Sequence, residues 1–189
     1  GFEYFKNEIG IGNYLPGFKQ SECSCDSPFD YSNHTRLYIS ENVGYPDNNE
    51  DGYINDLVDE IEKLIQATHG HTAILFTSYK VLSTVYDRIA PRLKEYPLLR
   101  MSKSNKNAIS DFKKSKKGIL FASGSMWEGV DCIGDILSSV IIVKLPFPLR
   151  TRVLEQKKKD CATMHEFIHT YAVPQMLIKL RQGAGRLIR

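Results

Sequence analysis

Residues 72–93 read TAILFTSYKVLSTVYDRIAPRL, and this stretch decides the fold. Its first six residues form a short apolar run of the kind that predicts a buried strand. The residues that follow have helical spacing, with one apolar face. That face comprises Val81, Leu82, Val85, Tyr86, Ile89 and Leu93. A buried strand that leads directly into an amphipathic helix is the repeating unit of an open parallel sheet.

The same alternation continues on both sides of this unit. Upstream, the pattern predicts a strand at residues 36–40 (RLYIS), a loop at 41–52 and an amphipathic helix from Ile54 to Ile65. Downstream it predicts a short strand at 98–102, a short basic helix around 108–112, and two strands buried on both faces, within 118–122 and 138–145. Two helical stretches follow, with Pro174 in a first turn. The expected fold class is α/β, an open, mainly parallel sheet with helices on both faces.

The chain of 189 residues suits either one domain with a full core or one domain plus an appended segment. Residues 1–35 are rich in Gly, Asn, Ser, Pro and Cys and show no period, which predicts an irregular lead-in. Residues 36–189 are expected to form the α/β domain. No apolar run is long enough to span a membrane, and the first residues do not resemble a signal peptide. The expected location is the cytoplasm, with no membrane partner.

Charge is distributed unevenly, although the net charge is only +3. Residues 41–62 hold eight acids and no bases, whereas residues 100–117 hold seven bases and one acid. Arg150, Arg152 and Lys157–Lys159 form a second basic cluster. Such clusters could meet nucleic-acid phosphates, or they could be ordinary solvated surface. Composition leaves both interpretations open.

The four cysteines do not have the spacing of a metal site. They are Cys23, Cys25, Cys132 and Cys161. One C-x-C with two scattered partners matches no usual zinc pattern. Free thiols are the expectation, and no metal ligand is assigned.

The last helix carries the most informative polar pattern. On a helical wheel, Gln182, Gly185, Arg186 and Arg189 share one side, and the apolar Leu180, Ala184, Leu187 and Ile188 lie on the other. Guanidinium groups in a row match phosphate oxygens bidentately. A solvated arginine face would give the same spacing.

Two further motifs follow predicted strands, where ligands collect in parallel sheets. After residues 118–122 comes Ser123-Gly124-Ser125-Met126-Trp127-Glu128-Gly129-Val130-Asp131, whose small residues expose backbone N–H groups. Its two carboxylates are three residues apart, and Trp127 suits either base stacking or packing. After residues 72–76 come Thr77, Ser78 and Tyr79, whose hydroxyls suit a phosphate. Ser78 would equally serve as a helix N-cap.

Together these motifs resemble those of a known family. Q-G-A-G-R-L-I-R is similar to motif VI of superfamily 2 helicases, with the pattern Q-x-x-G-R-x-x-R. A-S-G-S-M-W-E-G-V-D resembles motif V of the DinG/XPD branch, and L-F-T-S-Y resembles its motif IV. The segments K-L-P-F-P and S-P-F-D-Y also look like DinG-type sequence. The resemblance covers nearly the whole chain.

The resemblance implies a RecA-like second motor domain of an ATP-dependent DNA helicase with 5′-to-3′ polarity. Arg186 and Arg189 would then act as arginine fingers on ATP, beside Gln182 and Gly185. Glu128, Gly129 and Asp131 would couple the nucleotide state to movement. Residues expected at the backbone of single-stranded DNA are Thr77, Ser78, Tyr79, Ser123, Gly124 and Ser125, with Trp127 nearby.

The sequence contains neither G-x-x-x-x-G-K-[ST] nor D-E-x-H. In the family both belong to a first motor domain, which would bind most of the ATP and Mg²⁺ and pair with this one. An iron–sulfur cluster is possible in the parent protein, but Cys23 and Cys25 do not match its motif. This chain alone is therefore expected to be inert. The alternatives are a non-catalytic RecA-like module that binds nucleic acid or docks a partner, and a nuclease-linked member of the family.

Overall fold

A computed structural model of the chain describes residues 2–11, 21–45, 50–102, 107–124 and 134–187. The chain forms two compact units. The first comprises Gly1–Leu37 and Phe147–Gln175, and the second comprises Tyr38–Pro146 and Met176–Arg189. The predicted boundary after residue 35 lies near one of these divisions. The prediction that 36–189 form a single domain differs from this division, since residues 147–175 belong to the first unit.

The second unit contains a four-stranded sheet. Its strands are β1 (Thr72–Phe76), β2 (Leu98–Arg100), β3 (Ile119–Ser123) and β4 (Ser139–Ile142). They lie in the order β2-β3-β1-β4, and every neighbouring pair is parallel. The predicted α/β class with a parallel sheet is confirmed.

Helices cover both faces of this sheet. On one face lie α3 (Glu50–Thr68) and α4 (Tyr79–Ile89), which follow α1 (Phe2–Ile9) and α2 (Tyr31–His34) in the chain. On the other face lies α5 (Ala108–Lys114), anchored by the fully buried Phe112. Alternate residues of each strand enter the two cores: Ile74 and Phe76 face α3 and α4, whereas Ala73 and Leu75 face α5.

The acidic side of α3 is an ion-pairing surface as well as a solvated one. Arg88 of α4 pairs with Asp51, and Arg92 pairs with both Asp59 and Glu62. The N–O distance from Arg92 to Asp59 is 2.6 Å, and this hydrogen bond is the main reason that the pKa of Arg92 lies above its ordinary value. The acids counted in the sequence therefore add ion pairs to the apolar contact between α3 and α4.

The prediction of a strand at residues 36–40 is wrong. Residues 35–40 have no regular secondary structure, and Leu37, Tyr38 and Ile39 are 80–85% exposed. The segment has the residue types of a strand. However, a strand also needs a hydrogen-bonded neighbour, and none of the described strands pairs with it.

Strand β4 is half-buried, which corrects the prediction of burial on both faces. All four of its residues have intermediate exposure, whereas β1 is buried throughout. The reason is position: within the described residues β4 is at the edge of the sheet, and β1 lies in its interior. The prediction for the strand within 118–122 is confirmed, since residues 119–122 are fully buried.

The first unit holds the helices α6 (Arg152–Asp160) and α7 (Met164–Phe167), followed by a π-helical turn at Ile168–Ala172. Thr151 and Thr163 cap α6 and α7 through their hydroxyls. Lys157 of α6 pairs with Glu8 of α1 and lies over the ring of Tyr171. The predicted lead-in thus contains a helix that is tied to the later part of this unit.

Helix α8 (Val173–Ala184) continues directly from the π-helical turn. Pro174 is the second residue of α8, but the helical run is continuous from Met164, so it lies inside this run and not at a free helix start as predicted. Proline lacks an N–H and its ring crowds the carbonyl four residues earlier, so a wider turn just before it relieves that clash. After Ala184 the chain tightens into a 3₁₀ turn, Gly185–Leu187.

Candidate nucleic-acid interface

Strand register brings two of the predicted motifs side by side. Phe76 of β1 pairs with Ser123 of β3, so the next residues, Thr77 and Gly124, leave the sheet together at its carboxyl edge. Neighbouring strands are about 4.8 Å apart. Residues nearly fifty positions apart in sequence therefore form one surface at the edge where parallel sheets bind ligands.

The Thr77–Tyr79 motif has a structural and an exposed part. Ser78 is the N-cap of α4, since its hydroxyl accepts a hydrogen bond from the Val81 N–H at 3.4 Å. Thr77 is exposed, and the side chain of Tyr79 is 51% exposed. The N-cap interpretation of Ser78 is thus confirmed, and it leaves the hydroxyls of Thr77 and Tyr79 at the surface.

Helix α4 presents its positive end beside these hydroxyls. Its first turn contains no acid and carries Lys80. Lys80 donates a hydrogen bond to Glu50 at 2.8 Å, and this bond raises the pKa of Lys80 above its ordinary value. Lys80 therefore stays charged, with much of that charge balanced by Glu50.

Position 124 favours glycine because of its backbone conformation and not because of crowding. Its φ is +66°, in the left-handed region that side chains disfavour. A Cβ there would meet nothing within 4 Å. The backbone of Ser123 and Gly124 is thus turned at the strand end with open space beside it, which suits close approach of a ligand backbone.

Two polar residues at the same edge were missed by the sequence analysis. Ser102 follows β2, and by register it stands opposite Ser123. Lys144 follows β4 and is exposed. The signal was available, because the rule applied to the ends of β1 and β3 also applies to the ends of β2 and β4.

The arginine motif lies against the edge strand. The 3₁₀ turn that contains Gly185 and Arg186 packs beside β4. Gln182 is exposed, and Arg186 is half-buried. The structure therefore brings the amide and one guanidinium of the predicted set to the end of the last helix.

The apolar face drawn on the helical wheel is partly wrong. Ala184 and Leu187 are exposed, whereas Met176 and Gly183 are buried. The wheel assumed α-helical turns to the end of the chain. The α-helix ends at Ala184, and a 3₁₀ turn advances each residue by about 120° instead of 100°, which accounts for Leu187 but not for Ala184, the last α-helical residue.

Several predicted site residues lie outside the described part of the chain. They are Ser125, Trp127, Glu128, Gly129, Asp131 and Arg189.

The basic run at 100–117 is divided between the two edges of the sheet. Arg100 ends β2, stacks over the Tyr86 ring at 4.8 Å, and approaches Asp87 at 3.5 Å. Lys113 and Lys114 end α5, and Lys116 and Lys117 precede β3. Because α5 returns the chain to the start of the next parallel strand, these four lysines lie toward the amino edge, away from Thr77 and Gly124.

The described residues offer no obvious metal centre. No group of three or more His, Cys, Asp or Glu side chains among them is placed to hold an ion. Cys23 and Cys25 have their sulfur atoms 3.9 Å apart and, like Cys161, are free thiols. Cys23 and Cys25 by themselves do not supply the four thiolates that an iron–sulfur cluster needs. None of the helices in the described part of the chain combines the length and apolar character that crossing a membrane needs.

Comparison with known proteins agrees with the strand-end motifs. Residues 61–189 match the family described as helicase C-terminal domain. The chain belongs to this family. The match includes the whole sheet and the 3₁₀ turn that contains Arg186, so the family resemblance expected from the motifs is confirmed.

Relatives of this helicase C-terminal domain carry two kinds of name. The chain is 32% identical over 176 residues to the ATP-dependent DNA helicase YoaA of Escherichia coli, which covers 92% of this chain and 27% of the relative. It is 32% identical over 200 residues to the ATP-dependent DNA helicase DinG of Photobacterium profundum, covering 100% and 28%. It is 33% identical over 170 residues to the 3′-5′ exonuclease DinG of Staphylococcus epidermidis, covering 86% and 18%. The chain therefore spans less than a third of the length of these relatives.

Proposed function

We propose that this domain is the second motor domain of an ATP-dependent helicase that moves 5′ to 3′ on single-stranded DNA. The observation that carries the proposal is the strand register, which puts Thr77 and Gly124 side by side at the carboxyl edge. Exposed hydroxyls and a turned backbone at such an edge suit phosphodiester oxygens. Relatives named as ATP-dependent DNA helicases support the same assignment.

In this proposal the domain supplies one side of the ATP site. The guanidinium of Arg186 stabilises the negative charge that develops on the γ-phosphoryl oxygens as water displaces ADP. Gln182 is next to it, and Arg189 is the second proposed finger. Glu128, Gly129 and Asp131 are proposed to couple nucleotide state to DNA movement. The proposal assigns Mg²⁺ to the first motor domain of the same polypeptide.

Single-stranded DNA is the proposed track. Its backbone would pass over Thr77, Tyr79, Ser123, Gly124 and Ser125, with Ser78 holding the α4 N-terminus in place. Trp127 is the proposed stacking residue for a base. Alternating contacts between this domain and the first motor domain would then convert ATP hydrolysis into movement along the strand.

Replacing Arg186 with Ala in the full-length protein tests the ATP role. We expect DNA-stimulated phosphate release to fall by about 10³-fold or more, because an arginine finger contributes about that much. The affinity for single-stranded DNA should change by no more than about twofold, well under the tenfold change that corresponds to roughly 1.4 kcal/mol. Arg181→Ala is the matched control, since Arg181 is an exposed arginine of the same helix.

The same variant separates the helicase from its main rival. A non-catalytic nucleic-acid-binding or partner-docking module would show unchanged hydrolysis in Arg186→Ala, because hydrolysis would not depend on this domain. That result would contradict the proposal.

The relatives named 3′-5′ exonuclease DinG from Staphylococcus epidermidis, Bacillus subtilis and Staphylococcus saprophyticus are much longer than this domain, which spans only 18–21% of their length. An attached nuclease activity would therefore lie elsewhere in the polypeptide.

A further inference from the structure

The end of β4 lies in line with the two motif-bearing strand ends. Leu75 pairs with Ile142, and the Val143 N–H donates a hydrogen bond to the Leu75 carbonyl at 3.2 Å. The ladder between β1 and β4 thus continues one residue past the assigned strand. The next residues in register are Thr77 and Lys144.

Gly124, Thr77 and Lys144 consequently form one row across three neighbouring strands. Gly124 follows β3, which pairs with one side of β1, and Lys144 follows Val143 beyond β4, which pairs with the other side of β1. We call these three residues the edge row. All three are exposed.

The alternation of side chains supports the same placement. Ile141 and Val143 pack in the core beneath α3 and α4, whereas Val140 and Ile142 pack in the core beneath α5. The alignment of β1 with β4 therefore holds as far as Val143, directly before Lys144. Thr77 and Lys144 lie at bends where the chain leaves the sheet, and they are placed by their position after Phe76 and Val143.

Lys144 carries the one charge in the edge row, and none of the described acids forms an ion pair with it. Lys80, the other lysine near this edge, is paired with Glu50. Lys144 forms no ion pair with any residue in the described part of the chain. An exposed lysine that has no ion-pair partner among the described residues and lies beside an exposed threonine is suited to a phosphate.

We propose that Lys144 binds a backbone phosphate of single-stranded DNA, with Thr77 and Gly124 contacting the same segment of backbone. This inference rests on the proposed function and adds a residue that the motifs did not include. An ammonium group neutralises the phosphate charge, whereas hydroxyl and backbone N–H groups only donate hydrogen bonds to it. Lys144 is thus the member of the edge row that makes binding depend on salt.

The test compares Lys144→Gln with Lys117→Gln in the full-length protein. Lys117 is an equally exposed lysine that precedes β3 at the amino edge, so it is a matched control. Binding of a fluorescent oligothymidylate is measured by anisotropy over a range of salt concentrations. For Lys144→Gln we expect about a three- to tenfold loss of affinity near 0.1 M salt and a salt slope smaller by about 0.7, the value for one phosphate contact on a single strand. Lys117→Gln should leave both unchanged.

Two additional variants keep the outcomes distinct. Lys144→Arg should restore the slope, because it restores the charge. Thr77→Ala should weaken binding without changing the slope. If Thr77→Ala weakens binding and Lys144→Gln does not, the role of Lys144 is refuted while the DNA track stands. If neither variant alters binding, the DNA track itself is refuted. If Lys144→Gln changed how hydrolysis depends on ATP while DNA binding stayed unaltered, the assignment would also be overturned.

Discussion

Gly70 shows how one residue fixes the approach to β1. It lies between His69 and His71, and all three have positive φ, with +87° at the glycine. Its N–H donates to the Ile65 carbonyl at 3.2 Å, which closes the end of α3. A Cβ at this position would collide with the backbone carbonyl oxygen of Lys117. The turn therefore needs glycine for both conformation and space.

Gly70→Ala is expected to lower the free energy of unfolding by roughly 1–3 kcal/mol, because it adds backbone strain and a clash with main chain that cannot easily move. Urea unfolding followed by circular dichroism measures the change. Gly44→Ala is the control, since Gly44 is exposed and a Cβ there meets nothing within 4 Å. Equal midpoints for the two variants would show that the turn is not constrained as described.

At the level of helices, the contact between α3 and α4 combines an apolar seam with ion pairs. Leu57, Ile61 and Val85 lie in the shared core. Arg92 spans two acids of α3 at 2.6 and 3.2 Å. Because these groups are partly exposed, their attraction is screened by water and salt, and the apolar seam supplies most of the stability.

Arg92→Gln is accordingly expected to cost no more than about 1 kcal/mol of unfolding free energy. The loss should shrink in about 1 M NaCl, where the screening length falls to about 3 Å. Lys94→Gln is the control, because Lys94 is exposed and pairs with no acid in the described residues. A large, salt-independent loss in Arg92→Gln would mean that its packing matters more than its charge.

The secondary-structure elements were predictable wherever the information is local. The apolar run at 72–77 and the helical spacing from Val81 identify β1 and α4 without any tertiary knowledge. The half-exposure of β4 was not predictable, since it depends on which strands lie beside it. The prediction of a strand at Leu37–Ile39 was wrong for the same reason. Residue types show that a segment could form a strand, but whether it pairs with a neighbour is decided elsewhere in the chain.

The candidate site was predictable in its parts but not in its geometry. Spacing identified Thr77, Ser78 and Ser123, and register then placed them together. Lys144 was missed because the run at 138–145 was interpreted only as a strand that ends before Pro146. Gln182 and Arg186 stay predicted site residues, while part of the apolar face predicted around them was misplaced, since the change to a 3₁₀ turn is not visible in a regular wheel.

For the molecule as a whole, the proposal is that the ATP site is shared with another domain. The sequence lacks the phosphate-binding loop pattern G-x-x-x-x-G-K-[ST]. The isolated 189-residue chain is therefore expected to show no DNA-stimulated ATP hydrolysis. Phosphate release should be measured beside the full-length protein as a positive control. Clear turnover by the chain at low concentration would rule out a shared site.

The edge row also sets a length. Three adjacent strands place Gly124 and Lys144 two strand spacings apart, which is about 10 Å. Stacked nucleotides repeat every 3.4 Å or so along one strand. The row would thus cover about three nucleotides, so the footprint of this domain on DNA follows from the distance between strands in its sheet.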